Sequence, residues 1–488
     1  MTSPSLSPND RFRVVIVGAG VAGLTLAHAL DLAGIDYVLV DKGVVAPPWG
    51  ISITLHPHAC RILHQINCFE AVSAQCTTME LFCLRGPDGK VYHEQRFFEA
   101  IGKRTGYTTL TLERRALLRT LYDKLRDKSR VIERCRVQDI QERDGKVHVL
   151  MADGSKQTGD LVVGTDGVHS VVRELMWKRA NEVIPHFISA AEKRYKTDQA
   201  AIVTSYNALI AMCPMQPGLG LSNMHCVSND KFSFLILCQP DTIYFVAHCK
   251  LPGGRQTRWP NRERYTQADI DELATKLADY PLSESLLFGE LWEKRTRAHL
   301  VSLEEGVLEH WFFGRTVLAG DSVHKVTPNA AFGGATAMES AVDLANSIHR
   351  AVTAHPNKTP SDVEIRDTLQ GYENSRRDRV KDIYRVSWML TRLQAYDGWL
   401  SYIAQRWVLP LIGLDFVAKN VAQTCSEAPK LEYVFVDEDR GSLGWKDSKP
   451  AAKRSEMLMA PKSQLVPYFP LLFGAVVMFS SVAFVFMV

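Results

Sequence analysis

Apolar runs alternate with helical patterns in the first third of the chain. Residues 12–17 form a β-branched apolar run with a glycine-rich turn directly after it, and residues 21–33 then place apolar side chains at helical spacing. A second short apolar run at residues 37–40 ends on Asp41. Strand, helix and strand together predict a βαβ unit whose sheet is parallel and buried.

The pattern changes after about residue 180. Residues 201–212, 231–238 and 242–249 are longer runs rich in Val, Ile and Phe, and loop-forming Pro, Gly and Asn separate them. These runs predict a second, mostly antiparallel sheet, whose apolar side chains form ordinary sheet core or, as the alternative, the roof of a pocket.

Beyond the second sheet the chain returns to the first kind of pattern. Residues 311–319 predict a buried strand, residues 338–348 a helix, and residues 363–424 a longer helical region. The first domain is therefore expected to be discontinuous. The predicted segments are a first domain at 10–180 and 306–355, a second domain at 181–305, a helical C-terminal region at 356–425, a linker at 426–464 and a transmembrane segment at 465–488.

Residues 465–488 contain no charged side chain. A helix over these residues would reach roughly 36 Å at about 1.5 Å per residue, which exceeds a hydrocarbon core of about 30 Å. Pro467 and Pro470 delay the start of such a helix, so a buried or half-inserted segment is the alternative. Just upstream, basic residues outnumber acidic ones. We therefore expect a single-pass C-terminal anchor in the endoplasmic reticulum membrane, with the large domain facing the cytosol.

The composition argues against nucleic-acid binding and against a metal site. The 488 residues carry 57 basic and 54 acidic side chains, and a net charge of +3 does not suggest a nucleic-acid surface. The ten cysteines form no CxxC pair, so we expect free thiols, no metal site and folding in the reducing cytosol. Such a length exceeds what one hydrophobic core usually supports, which agrees with two packed regions.

The turn after the first strand has the spacing of a dinucleotide-binding fingerprint. Gly18 permits a tight turn, Gly20 has no Cβ to block a pyrophosphate, and Gly23 lets helix and sheet approach closely. The helix N-terminus offers unpaired N–H groups to phosphates, and Asp41 can accept hydrogen bonds from a ribose. The expected fold class is thus α/β, with a Rossmann-like domain, a mostly antiparallel second sheet, a helical C-terminal region and a C-terminal transmembrane helix.

Two further short motifs follow in the chain. Asp166-Gly167 lies in the segment from Gly164 to Arg173, and Gly320-Asp321 follows a predicted strand. With the glycine turn, they make the sequence resemble the single-component (class A) FAD monooxygenases. That family includes p-hydroxybenzoate hydroxylase and fungal epoxidases of meroterpenoid and indole-diterpene pathways. The resemblance covers about residues 12–350, and it is most specific to the fungal group with a hydrophobic C-terminal extension.

The resemblance implies FAD as the cofactor and assigns roles to these motifs. Asp166 would lie where flavin and nicotinamide meet, and Asp321 would hydrogen-bond the ribityl hydroxyls. Arg114 would contact the FAD phosphates, with Arg115 as the competing choice. NAD(P)H would bind transiently, because no second strand-associated GxGxxG is present.

One segment departs from the family. A Pro-Gly-Gln-Gly-Gly-Asn type turn is usual after the position of Asn329, whereas this chain reads Ala330-Ala331-Phe332-Gly333-Gly334-Ala335. Gly333 and Gly334 can bring backbone close to the flavin ring, but Ala331 and Phe332 would be strained at positive φ. We therefore expect an altered flavin geometry or substrate pocket here.

The activity implied by the resemblance is oxygen transfer from O2 to a lipophilic small molecule, after NAD(P)H has reduced FAD. A membrane-anchored enzyme with an apolar pocket suits a prenylated, meroterpenoid-like intermediate whose alkene becomes an epoxide. Hydroxylation of an activated phenol and a non-catalytic flavin-fold scaffold are the alternatives. A halogenase is disfavoured because no WxWxIP segment is present. Olefin epoxidation needs no protein nucleophile, so no catalytic acid or base is assigned, and the sequence carries no prediction of oligomeric state.

Overall fold

The computed structural model of the protein describes residues 11–48, 52–188, 202–355 and 359–448. Its strands in chain order are β1 (Arg13–Val17), β2 (Asp36–Val40), β3 (Ser52–Leu55), β4 (Phe82–Arg85), β5 (Val91–Gln95), β6 (Leu110–Glu113), β7 (Val131–Ile132), β8 (Val137–Arg143), β9 (Lys146–Met151), β10 (Lys156–Gly159), β11 (Leu161–Gly164), β12 (Val203–Pro214), β13 (Met224–Asn229), β14 (Phe232–Cys238), β15 (Thr242–Lys250), β16 (Thr257–Arg258), β17 (Pro281–Ser283), β18 (Leu286–Leu287), β19 (Arg297–Val307), β20 (Phe312–Phe313), β21 (Thr316–Leu318) and β22 (His324–Lys325).

The α-helices lie mainly at the two ends of the chain. In chain order they are α1 (Val21–Leu32), α2 (Pro57–Gln65), α3 (Phe69–Ser73), α4 (Phe97–Thr105), α5 (Arg114–Asp123), α6 (Val171–Val183), α7 (Gln267–Leu277), α8 (Phe288–Glu293), α9 (Gly333–Thr353), α10 (Asp362–Gln394), α11 (Trp399–Ile403), α12 (Leu409–Ile412) and α13 (Leu414–Ser426). A π-helical turn, Ala404–Val408, joins α11 to α12.

The first sheet is the Rossmann-like sheet that the sequence predicts. It has six strands in the order β20-β21-β11-β1-β2-β7, and the five strands from β21 to β7 are parallel. β1 pairs with β2 on one side and β11 on the other, so its side chains are almost completely buried. Helices α1 and α9 pack against each other beside this sheet. Because β20 pairs antiparallel with β21, the predicted strand at 311–319 is a short hairpin.

The second sheet is large and mostly antiparallel. Its main path runs β22-β19-β12-β15-β14-β13-β4-β5, with β16 paired to β12. β4 pairs with β13 in parallel, and the other neighbouring pairs are antiparallel. β4 and β5 belong to the range that the sequence assigned to the first domain. Because β4 and β13 lie far apart in the chain, no local sequence pattern predicts that they pair.

The C-terminal region is helical as predicted, and the chain after it folds back on the first domain. Tyr433 donates a hydrogen bond to the Ala29 carbonyl at 2.8 Å, and Trp445 is completely buried. Within the described parts of the chain, no helix has both the length and the apolar composition needed to cross a bilayer. The predicted transmembrane segment, residues 465–488, lies outside the described residues.

Candidate functional site

The parallel strands of the first sheet bring the predicted motifs to one edge. Val17 is paired with Val40 and with Gly164, and Gly164 is paired with Leu318. The chain therefore leaves all four strands at the same level. The residues that follow these strand ends include Gly18, Asp41, Asp166 and Gly320. The carboxyl edge of a parallel sheet is where α/β proteins bind their ligands.

The glycine turn forms a cradle in front of α1. Gly18 has a φ of +108°, and a Cβ there would lie 2.6 Å from the Thr165 carbonyl oxygen. A Cβ on Gly23 would overlap the Gly18 carbonyl oxygen, whereas the nearest atom to a Cβ on Gly20 is 4.0 Å away. Gly20 thus faces open space, and it caps α1 without any side-chain hydrogen bond. The free N–H groups and the open approach fit a pyrophosphate.

Asp41 ties this turn to the end of β2. Its carboxylate accepts hydrogen bonds from the backbone N–H of Ala19 and of Gly43, each at 2.7 Å. Since a carboxylate has lone pairs beyond these two, it can still accept from a ribose hydroxyl.

Asp166 is engaged by the helix that follows it. Its carboxylate accepts from Ser170 Oγ at 2.5 Å and from the N–H groups of Val171 and Val172 at 2.7 and 3.2 Å. Burial raises the pKa of Asp166, and these hydrogen bonds oppose the rise. The side chain therefore stabilises the start of α6, while the backbone of this motif lies against the glycine turn. Contact of Asp166 with a ligand stays a prediction.

Arg173 connects the Asp166-Gly167 segment to the Gly320-Asp321 segment, a role that the sequence did not reveal. Its guanidinium donates to the carbonyls of Val168 and Ser322, both at 2.7 Å, and lies 4.5 Å from the Trp259 ring. The side chain is fully buried, so these contacts compensate for its desolvation. The only sequence signal was an arginine within the Asp166-Gly167 segment.

A cluster of charges surrounds Asp321. Its carboxylate forms an ion pair with Lys325, and despite burial this carboxylate raises the pKa of Lys325. Burial lowers the pKa of Arg114, and the charge of Asp321 opposes that shift. Arg114 has no hydrogen-bond partner among the described residues, whereas Arg115 is exposed and donates to the Ala46 carbonyl at 3.2 Å. The geometry thus favours Arg114 as the arginine that faces the site.

The departing turn adopts the strain that its sequence predicts. Ala331 has a φ of +57°, a left-handed conformation that costs an L-residue roughly 1–2 kcal/mol. Phe332 stays at a φ of −86°, and its buried ring lies 4.5 Å from the ring of His56. A Cβ on Gly334 would approach Ile53 Cδ1 to 2.7 Å, so Gly334 allows α9 to pack closely against β3. Gly333, the first residue of α9, has more room, since a Cβ there would be 3.8 Å from its nearest neighbour.

A buried polar network from α10 holds this turn in place. Asn329 donates to Gln394 Oε1 at 2.7 Å and accepts from Thr391 Oγ1 at 3.0 Å. Thr327 donates to the Ser387 carbonyl at 3.0 Å. These partners on α10 lie 60 to 65 positions further along the chain, so no local pattern connects them to the turn.

Beside the turn lies a cavity of about 1230 Å³. Apolar atoms form most of its wall, although eleven charged side chains also line it, and Ala331 and Phe332 are among its lining residues. From the three runs whose alternative role was a pocket roof, the described lining contains only Val203 and Ser205. Most of the wall comes instead from the helices after α9, with a smaller part from α4. Local sequence patterns do not indicate which helices pack together, so they did not predict this contribution. Its polar part includes Lys250 and Asp397, which are paired at 2.5 Å.

Comparison with known proteins gives a consistent result. A family model described as FAD binding domain matches residues 11–387. The FAD-dependent monooxygenase DEP2 of Alternaria brassicicola is 54% identical over 91% of this chain and 84% of its own length. The FAD-dependent monooxygenase atmM of Aspergillus flavus is 32% identical over 89% of both chains. The crystal structure of Klebsiella pneumoniae HpxO, complexed with FAD and uric acid, superimposes with a TM-score of 0.68. It is 20% identical and covers 86% of this chain and 97% of its own.

Proposed function

Because the chain belongs to the family of FAD-dependent monooxygenases, we propose that it uses NAD(P)H and O2 to epoxidise a prenyl alkene of a lipophilic, meroterpenoid-like intermediate. The observation that carries this proposal is the cavity of about 1230 Å³, whose wall is formed mainly by apolar atoms. Its volume exceeds the roughly 300–1,000 Å³ of common ligand pockets, which suits a large multi-ring or prenylated molecule.

The residues of this chain bind and position, and the bound FAD supplies the redox and oxygen chemistry. Gly18, Gly20 and Gly23 would hold the pyrophosphate, with Arg114 as a counter-charge. Asp321 would hold the ribityl hydroxyls. The apolar wall would orient the alkene and keep water away from the reacting atoms.

Hydroxylation of a phenol is the nearest alternative, since it uses the same cofactor. It calls for a base near the substrate. The two ionisable groups of the cavity wall named above, Lys250 and Asp397, are paired with each other, and Asp397 also accepts from Tyr206 at 2.7 Å. The cavity wall also contains other ionisable side chains, among them His56, Glu305 and Asp382, so product analysis decides between the two reactions.

Product analysis tests the proposal. The full-length protein would be co-expressed, in cells grown under ¹⁸O2, with enzymes that supply prenylated phenols, polyketides and indoles. Extracts would then be analysed by mass spectrometry. We expect one labelled oxygen on the prenyl chain, as an epoxide or its diol. A labelled hydroxyl on the ring would replace the proposal by the hydroxylase. If no substrate of the panel stimulates NAD(P)H oxidation by the flavin-loaded protein, the non-catalytic scaffold is favoured.

Two neighbouring arginines provide a matched test of the cofactor site. Arg114→Gln is expected to weaken FAD binding by roughly 10- to 100-fold, the loss of one charge-assisted hydrogen bond of about 1.5–3 kcal/mol. Arg115→Gln removes the same charge from an exposed side chain, and its FAD dissociation constant should stay close to that of the unsubstituted protein. Flavin fluorescence titration of the apoprotein measures both. Equal losses in the two variants would contradict the assignment of Arg114.

We also propose that residues 465–488 anchor the protein in a membrane, with the catalytic region on the cytosolic side. The support is their lack of charge and the basic residues just upstream. Deletion of these residues should make the protein extractable from membranes by alkaline carbonate, while the full-length chain stays in the pellet. A full-length chain that carbonate releases equally well would contradict an inserted anchor.

A further inference from the structure

The surface formed by residues 399–412 is unusually apolar. Its exposed side chains, which we call the aromatic surface, are Trp399, Tyr402, Ile403, Trp407 and Leu411. Trp399 is 62% exposed, Trp407 56% and Leu411 87%. Trp399, Ile403, Trp407 and Leu411 are each four residues apart, which places them along one side of the helical segment, and Tyr402 adjoins Ile403. Large apolar side chains grouped in this way mark an interaction surface, whereas single ones are ordinary.

Other side chains of the same segment form part of the cavity wall. Leu400, Ala404 and Leu409 line the cavity. One layer of helix therefore separates the cavity from the aromatic surface. Trp388 and Ile412 line the cavity and are also exposed, at 43% and 38%, so the cavity reaches the molecular surface beside this layer.

Charge around the aromatic surface favours lipid as its partner. Between Gly398 and Leu414 the chain has one charged residue, Arg406, and no carboxylate. The guanidinium of Arg406 stacks on the rings of Tyr92 and Trp407, at 4.5 and 4.8 Å from their centres. Tryptophan, tyrosine and arginine beside aliphatic side chains are the composition of helices that lie in the membrane interface.

The end of the described chain is consistent with this position. Residues 449–464 separate Ser448 from the uncharged segment 465–488. Sixteen residues reach at most roughly 55 Å when fully extended. A body tethered to a bilayer over that distance can therefore lay the aromatic surface on it.

We propose that the aromatic surface docks on the cytosolic face of a phospholipid bilayer, so that lipophilic substrate passes from the membrane into the cavity. The route for substrate rests on the proposed function, but docking itself does not. A single contact with a membrane accounts for the exposed aromatic rings, for the lack of carboxylates between Gly398 and Leu414, and for the cavity that lies behind this surface.

Site-specific labelling of the full-length, FAD-loaded protein tests the docking. Leu411→Cys carries a bimane fluorophore, and Phe435→Cys is the matched control. Phe435 is 89% exposed but lies in the segment that packs on the first domain through Tyr433. Both variants are reconstituted in phosphatidylcholine–phosphatidylserine vesicles that contain a nitroxide-labelled phosphatidylcholine. Unsubstituted protein corrects for labelling of native cysteines, and flavin absorbance verifies that each variant is folded.

We expect the nitroxide lipid to quench the label strongly at position 411 and hardly at all at position 435. Equal quenching at the two positions, or none at position 411, would overturn the proposal. A label at position 411 that is already shielded without lipid, together with a dimer in solution, would show that a second copy covers the surface and would also overturn it. The measurement needs no turnover. Quenching at position 411 without an oxygenated product would support docking and contradict the proposed function. A product without quenching would support the proposed function and contradict docking.

Discussion

Gly23→Ala is expected to yield a protein without bound FAD, and most of it should fail to fold. A Cβ at this position would overlap the carbonyl oxygen of Gly18 and come within 2.8 Å of Thr165 Oγ1. That threonine donates to the carbonyls of Val17 and Gly18, so neither neighbour can move without opening the turn. Relief requires α1 to separate from β1, which disrupts the cradle and the core together. The ratio of flavin to protein absorbance and the soluble yield measure the effect.

Gly371→Ala is the control for this substitution. Gly371 is exposed inside α10, and a Cβ there would meet no atom within 4 Å. Because glycine costs a helix interior roughly 0.5–1 kcal/mol relative to alanine, this variant should keep its flavin and become slightly more stable. A Gly23→Ala protein with normal flavin content would show that the turn does not have the close packing described above.

Glu339→Gln is expected to destabilise the protein by about 3–5 kcal/mol, because it leaves two buried arginines without their carboxylate. Glu339 lies on α9 and is completely buried. Its carboxylate binds Arg376 at 2.6 Å and Arg379 at 2.8 Å, and His58 Nε2 lies 3.3 Å away. The cluster joins α9 to α10 and α2, next to the turn that begins at Asn329. The thermal unfolding midpoint at neutral pH measures the loss.

The matched control is Glu99→Gln. Glu99 lies on α4 and pairs with Lys103 at 2.6 Å in an exposed position, so its loss should change the midpoint little. Equal midpoints for the two variants would contradict the role of the Glu339 cluster.

Acid should weaken the same cluster. Burial opposes the charge of Glu339, but Arg379 and Arg376 outweigh it and hold its pKa below the ordinary value of 4.5. Burial lowers the pKa of His58 from 6.5 to about 3, so the unfolded chain binds its proton first as pH falls. Both shifts make the native state lose stability with acid, beginning near pH 6.5 through His58 and continuing below 4.5 through Glu339.

Local patterns predicted the glycine turn with its strand and helix better than they predicted the wall of the cavity. The Gly18–Gly23 turn and Asp41 lie within one βαβ unit, where strand, turn and helix follow each other directly. The strain expected at positive φ is present at Ala331, whereas Phe332, for which the same strain was expected, keeps a negative φ.

Other features depend on contacts between distant parts of the chain. The hydrogen bonds of Arg173 to Ser322 and of Asn329 to Gln394 join helices and turns that no periodicity relates. The same holds for β4, which pairs with β13. The cavity wall from α4 and the C-terminal helices follows from such packing, which is why the three β runs gave an incomplete roof.

The position of β21 in the first sheet has a consequence for synthesis on the ribosome. Val162 in β11 pairs with Thr316 in β21, so the first sheet closes only after every strand of the second sheet except β22 has been translated. Gly320-Asp321, which is predicted to contact the ribityl chain of FAD, is synthesised just after β21. At roughly 5–20 residues per second, the stretch from Gly164 to Leu318 takes roughly 8–30 seconds to synthesise, and β11 waits that long for β21. During that interval the β11 edge that later pairs with β21 is exposed, so the nascent chain needs chaperones most at this stage.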